Sequence, residues 1–144
     1  MPEVNIKDIV SEMANGLEGI RLITLLDRDS IVLTSWESPE NNVSPEELGR
    51  FIQQINSTIK TLKQSDTGAT KLDDLILSTY SGYILLKPIC KGACFIVVDA
   101  PRAVSLGSIR TACIKYAPRL EQAVPGYEPL PQPDDMETTV TQGN

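Results

Sequence analysis

The chain has 144 residues and a formal charge of −6, with 41% hydrophobic, 22% charged and 5% aromatic residues. This length suits one domain with one ordinary core. The low aromatic content and the excess of acidic residues argue against a surface that binds nucleic acid or anionic lipid.

The N-terminal residues lack the basic and apolar run of a signal peptide, and no apolar stretch approaches the ~20 residues that span a bilayer. We therefore expect a cytoplasmic protein without direct membrane insertion. The chain has no His, and its three cysteines, Cys90, Cys94 and Cys113, are expected to be buried thiols rather than ligands or disulfides. The sequence predicts no metal and no cofactor.

The first predicted elements are a helix and a hairpin. Apolar residues spaced by three and four predict an amphipathic helix over 6–17. Two segments rich in β-forming residues follow at 20–26 and 31–36. The polar turn at 27–30 between them predicts an antiparallel hairpin.

The next segment carries three helix-start signals together. Ser44 is a capping residue, Pro45 occupies the first helical position, and Glu47 is placed to complete a capping box. An apolar stripe then runs from Leu48 to Leu62 and predicts the longest helix of the chain, ended by the polar stretch at 65–70.

Three further strand-like segments at 72–80, 83–90 and 93–99 are joined by tight turns and predict a meander. A third helix is predicted from about 106 to 124. Pro118 lies inside it, and because proline removes a helical hydrogen bond, we expect a kink or an early end there.

Strand composition predicts the order of the sheet. The unbroken apolar run at 94–98 suits a central strand, and charges at 71–74 mark the third strand as an edge. Keeping hairpin partners adjacent gives an α/β (α+β) fold with a five-stranded antiparallel sheet of order 2-1-5-4-3. The long helix would cover one face and the two other helices the opposite face.

Composition changes again after residue 124. Residues 125–144 are rich in proline and contain four acidic residues without Lys or Arg, which leaves 13 basic and 15 acidic residues in the rest. A segment of this kind cannot bury much apolar surface. The sequence therefore predicts a folded domain over 1–124 and a disordered, acidic, proline-rich tail over 125–144.

No pattern indicates catalysis. The chain has no phosphate-binding Gly-rich loop, and its paired carboxylates, Asp27 with Asp29 and Asp73 with Asp74, fall on a turn and an edge strand. We predict that the protein is not an enzyme and has no catalytic residue.

A short motif stands where the fifth strand passes into the third helix. It consists of Ser105, Leu106, Gly107, Ser108, Ile109 and Arg110. Ser105 is expected to cap the helix, and Gly107 is expected to allow a close backbone approach.

With the order of elements over residues 5–124, this motif resembles the roadblock family of dynein light chains and prokaryotic small-GTPase regulators, whose fold is profilin-like. The resemblance implies a dimer in which third strands pair across a two-fold axis. It also implies that the two long helices lie side by side and form a platform for a GTPase.

The residues that would form such a dimer interface lie on the long helix and the third strand. They are Gly49, Gln53, Asn56 and Lys60 on the helix, and Leu72, Asp73, Asp74, Leu75, Ile76 and Leu77 on the strand. Taken alone, the helix stripe also suits a solvated face, and the two aspartates also suit a blocked edge.

The resemblance implies a non-catalytic homodimeric adaptor that binds a small Ras-like GTPase and modulates its nucleotide cycle or localisation. Arg28 and Arg50 are expected to be solvated arginines rather than groups that reach the transferred phosphate. Two alternatives remain open: a PAS-like ligand-sensing module of the same strand order, and a motor or scaffold light chain without GTPase regulation.

Overall fold

The computed structural model describes residues 5–64 and 72–124. The predicted end of the long helix at 65–70, Lys71 and the predicted tail at 125–144 lie outside these ranges. The described elements, in chain order, are α1 (Ile6–Asn15), β1 (Leu22–Asp27), β2 (Val32–Glu37), α2 (Pro45–Gln64), β3 (Leu75–Thr79), β4 (Gly82–Ile89), a 3-10 turn (Cys90–Gly92), β5 (Cys94–Pro101) and α3 (Leu106–Ala123).

The five strands form one antiparallel sheet of order β2-β1-β5-β4-β3, which confirms the predicted topology. β5 is the central strand, because it pairs with β1 on one side and β4 on the other. Helices cover both of its faces, and seven of its eight residues are buried. Ile96 of β5 lies opposite Leu25 of β1, and Val98 of β5 lies opposite Leu85 of β4.

The two sheet faces carry separate cores because successive residues of a strand point to opposite sides. One core lies under α1 and α3 and includes Ile23, Leu85 and Val98. The other lies under α2, where Leu48 and Ile52 pack on Leu22, Leu26, Leu86, Phe95 and Val97. Of the three helices described, α2 thus covers one face and α1 and α3 cover the other, as the sequence predicts.

The predicted capping of α2 is present. The Ser44 hydroxyl accepts a hydrogen bond from the Glu47 backbone N–H at 3.0 Å. This bond satisfies one of the first helical N–H groups, which have no partner within the helix. The cap therefore fixes where the chain leaves the loop after β2 and begins to cross the sheet.

α3 continues through Pro118 to Ala123, so of the two expected outcomes, a kink or an early end, the early end does not occur. The residues after the proline are held by tertiary contacts that propensity cannot anticipate. Leu120 is fully buried, and the Glu121 carboxylate accepts a hydrogen bond from the Cys90 N–H at 2.7 Å. That bond fixes the end of α3 to the turn between β4 and β5, where Cys90 has a positive φ of 53°.

Candidate protein–protein interface

β3 is an edge strand that pairs only with β4 in the described part of the chain. Leu75, Ile76 and Leu77 are half-buried there. Leu75 packs against the core beneath α2, and Ile76 packs against the core beneath α1 and α3. The outer side of β3 is therefore an open ladder of peptide groups carried by an apolar strand, which is what pairing with another strand requires.

The strand begins at Leu75, three residues later than predicted, because the two preceding aspartates are engaged elsewhere. Arg110 holds Asp74, whose side chain is only 13% exposed, and the exposed Asp73 contacts Lys87 with Nζ to Oδ1 at 3.3 Å. Leu72 packs against the α2 core. Of the six predicted strand-pairing residues, only 75–77 lie in β3.

The four predicted interface residues of α2, Gly49, Gln53, Asn56 and Lys60, also differ in their surroundings. Gly49 is buried within its own chain, because a Cβ there would lie 2.6 Å from the carbonyl oxygen of Ser30 in the β1–β2 turn. Gln53 is exposed and Asn56 is half-buried on the same flank of α2, and the side chain of Lys60 lies outside the described part. Gly49 therefore lies against the hairpin turn of its own chain, and its place in the interface stays a prediction.

Phe51 marks the opposite flank of α2. It follows Gly49 by two positions, which is about 200° around the helix. Its side chain is 43% exposed, whereas Leu48 and Ile52 beside it are buried. The sequence pattern places Phe51 in the apolar stripe that faces the core. The one sequence signal that its side chain is exposed is its position at the border of that stripe. Among the α2 side chains that the structure describes, Phe51 is the large apolar one that is exposed.

The motif at 105–110 organises the start of α3. The Ser105 Oγ accepts a hydrogen bond from the Ser108 N–H at 3.3 Å, which is the predicted cap. Ile109 is fully buried, and Leu106 packs beside the same core. Arg110 forms an ion pair with Asp74 that also raises the arginine's pKa. The motif therefore links α3 to the residues that precede β3.

Gly107 does not have the role predicted for it. A Cβ at this position would meet only the Ser105 Oγ, at an ordinary contact distance of 3.6 Å. Within residues 5–64 and 72–124 no backbone approaches it closely, and it faces an open depression between the end of α1 and the first two-thirds of α3. We call this depression of about 530 Å³ the α1–α3 groove; its lining residues are Met13, Gly16, Leu17, Ser105, Gly107, Ser108, Thr111, Ala112, Lys115 and Tyr116.

A charged cluster joins α1 to α3 beyond this groove. The Glu12 carboxylate accepts hydrogen bonds from the Tyr116 hydroxyl at 3.0 Å and from the Arg119 guanidinium at 2.6 and 3.2 Å. The hydrogen bonds from Arg119 and then Tyr116 lower the pKa of Glu12 below its usual value. The cluster holds the two helices together on the face opposite α2.

The comparisons with known proteins decide the fold. No family model and no curated protein sequence matches the chain. A roadblock/LC7 domain from Streptomyces avermitilis matches with a TM-score of 0.71 at 10% identity, over 83% of this chain and 97% of that one. The chain has the roadblock fold. This result confirms, at the level of the fold, the resemblance that the sequence suggests.

Two further roadblock-fold neighbours are MglB proteins. MglB from Myxococcus xanthus matches with a TM-score of 0.71 at 14% identity, over 81% of this chain and 92% of that one. The gliding protein MglB from Thermus thermophilus matches with a TM-score of 0.70 at 14% identity, over 81% and 85% of the two chains.

The helix between β2 and β3 distinguishes this roadblock fold from the PAS-like alternative. A PAS-like domain would place several short helices there and would leave a hollow core for a ligand. The chain instead has one helix of 20 residues, and the side chains of Leu48 and Ile52 fill the space beneath it. The groove between α1 and α3 lies at the border of the core beneath these helices, which contributes Met13, Leu17 and Tyr116 to its lining.

The remaining candidate groups are the three cysteines and the arginines at 28 and 50. Cys90, Cys94 and Cys113 are free and buried, and burial raises the pKa of Cys113 to about 12, so this thiol stays protonated at neutral pH. Within residues 5–64 and 72–124, no three His, Cys, Asp or Glu side chains meet as metal ligands would. No helix in these ranges combines the length and hydropathy of a membrane crossing. Arg28 and Arg50 are exposed.

Proposed function

We propose that this chain is a non-catalytic, cytoplasmic adaptor that forms a homodimer and binds a small Ras-like GTPase across two adjacent α2 helices. It would modulate the nucleotide cycle or the localisation of that GTPase. The observation that carries the proposal is the open outer edge of β3, together with the long helix α2 on the adjacent sheet face.

The strand edge supports the dimer. The edge strand is apolar and half-buried at Leu75, Ile76 and Leu77. These three positions therefore lack the lysines or prolines that usually prevent an edge strand from pairing. Two copies related by a two-fold axis present the same edge to each other, and antiparallel pairing would satisfy both ladders. Asp73 and Asp74 do not oppose this pairing, because they lie before the strand and have basic partners within the chain.

The long helix supports the platform. α2 has 20 residues, so it is about 30 Å long. Leu48 and Ile52 anchor it to the sheet, and Glu46, Arg50 and Ser57 remain exposed. Two such helices side by side would form a joint surface that a single copy lacks. The roadblock fold and the resemblance to prokaryotic GTPase regulators favour a small GTPase as the partner on that surface.

The proposal is tested with the full chain and a Ras-like GTPase from the same organism, preferably one encoded beside it. Sizing with light scattering should give a dimer for the chain alone and a complex with two copies per assembly. GTP hydrolysis or nucleotide release should change when the chain is added. A monomer that forms no complex would contradict the proposal. A dimer that binds no GTPase would contradict the GTPase part of the proposal and favour the alternative of a motor or scaffold light chain.

A pair of edge-strand variants makes the dimer test specific. Leu77→Lys places a charge on the β3 edge and should shift the chain towards monomer. Thr34→Lys places the same charge on β2, the opposite edge of the sheet, and should leave the dimer intact. Circular dichroism and thermal unfolding of both variants show whether the chain remains folded. If the β2 variant alone dissociates the dimer, the proposed β3 interface is wrong.

A further inference from the structure

The α1–α3 groove has a chemistry that suits an acidic peptide. Its volume of about 530 Å³ falls within the range of ligand-binding pockets. Its lining includes the apolar Met13 and Leu17, the ring of Tyr116, and the hydroxyl-bearing Ser108 and Thr111. Lys115 is the charged lining residue, and no carboxylate lines the groove in the described part of the chain.

Gly107 indicates that the groove is kept open. Glycine in a helix costs stability relative to alanine, so it needs a reason to be there. The chain's own packing gives none, because a Cβ would contact only the Ser105 Oγ at 3.6 Å. The missing side chain instead widens the groove next to the first turn of α3, where the helix dipole adds positive potential.

We propose that the acidic segment 134–137 of the same chain docks in the α1–α3 groove. Its sequence is Asp134-Asp135-Met136-Glu137. Three carboxylates complement Lys115 and the N-terminal end of α3, and Met136 offers an unbranched apolar side chain to Met13 and Leu17 of the lining. The inference is independent of the proposed function, because the groove lies on the sheet face opposite α2.

The length of the intervening chain fits this placement. α3 has 18 residues and is therefore about 27 Å long. The groove lies along its first two-thirds, so a segment that leaves the last turn must run back along the helix. Prolines at 125, 129, 131 and 133 favour an extended chain that rises about 3.1 Å per residue. About nine such residues span the helix, and Asp134 is the tenth residue after Val124.

A spin label on the full chain tests the contact directly. Thr139→Cys, two residues beyond the acidic segment, provides the attachment site and leaves Met136 in place. The wild-type chain treated with the same label serves as the blank for the buried native thiols. The amide NMR signals of Gly107, Ser108 and Thr111 should lose intensity, and those of Gln53 and Ser57 in α2 should not. High salt should restore the lost signals, because it screens the attraction between exposed charges.

Three changes to the labelled chain make the test specific. Lys115→Glu should abolish the signal loss, whereas Arg50→Glu, the same charge change on the opposite sheet face, should preserve it. Gly107→Ala narrows the groove and should weaken the effect.

Two results would overturn the inference. One is an absence of signal loss in the groove, or a loss that Lys115→Glu does not change. The other comes from mixing unlabelled ¹⁵N chain with spin-labelled ¹⁴N chain. If the loss at the groove is as large there as within one chain, the occupant is the tail of another copy. None of these outcomes bears on dimerisation through β3, so failure here and failure of the proposed function are distinguishable.

Discussion

Arg110 of α3 donates two hydrogen bonds to the carboxylate of Asp74, from Nε to Oδ2 at 2.9 Å and from Nη2 to Oδ1 at 3.1 Å. This paired geometry matches the planar guanidinium to a carboxylate and fixes direction as well as distance. Asp74 immediately precedes β3. A helix on one sheet face therefore sets the position at which the chain enters the edge strand that we propose for dimerisation.

Replacing Arg110 should loosen this edge. In Arg110→Met, Asp74 loses both hydrogen bonds, so we expect amide hydrogen exchange across 72–77 to accelerate several-fold, while β1 and β5 stay protected. Arg119→Met is the matched control, because it removes an arginine of the same helix that pairs with Glu12 instead. Equal acceleration in both variants would show that Arg110 does not act specifically on β3.

Gly49→Ala should destabilise the fold although alanine is the better helix former. The new Cβ would lie 2.6 Å from the Ser30 carbonyl, so the β1–β2 turn or α2 must shift. Such overpacking costs about 1–3 kcal/mol, which exceeds the ~1 kcal/mol gained in helix propensity. Urea unfolding measures the difference. Ser57→Ala, at an exposed position of α2, should be neutral or slightly stabilising, and equal stability of the two variants would contradict the contact.

The two flanks of α2 give different expectations for dimerisation. Phe51 is 43% exposed and Gln53 lies on the flank that faces the β1–β2 turn. If the Phe51 flank meets the second copy, Phe51→Ala should weaken the dimer about tenfold, the equivalent of ~1.4 kcal/mol of apolar contact. Gln53→Ala should have little effect. Sedimentation equilibrium measures the dimer dissociation constant of each variant. If Gln53→Ala weakens the dimer more than Phe51→Ala, the interface lies on the flank predicted from sequence.

The sequence predicts most of the fold because its signals are local. Ser44 and Pro45 predict the start of α2, and the apolar run of β5 predicts that this strand is central in the sheet. The candidate interface is harder to predict from sequence, because its features depend on contacts between residues that are far apart in the chain. Periodicity assigns Gly49 to a flank but cannot show that Ser30 faces it. Likewise, nothing near Asp74 reveals a partner 36 positions away.

Pro118 shows the same limit for a helix. Its backbone cannot donate to the Ile114 carbonyl, yet α3 continues because Leu120 and Glu121 are held by the core and by the Cys90 N–H. Pro118→Ala should therefore stabilise the fold by up to about 3 kcal/mol, reduced by the greater freedom of the unfolded chain. Thermal unfolding measures the gain, with exposed Gln122→Ala as a neutral control. A loss of stability would mean that the proline fits a bend the fold requires.

Glu12 should make stability depend on pH over the acidic range. Its pKa is lowered in the folded chain, chiefly by the hydrogen bond from Arg119 and then by that from Tyr116. A carboxyl with a lowered folded pKa contributes stability that is present above its unfolded pKa and is lost as the pH falls through its folded pKa. Glu12→Gln should accordingly be less stable than wild type near neutral pH. The difference should shrink below about pH 4, where wild-type Glu12 begins to protonate in the unfolded chain. Urea unfolding across this range measures it, and Glu18→Gln, which removes an exposed carboxylate outside the cluster, should show no such convergence.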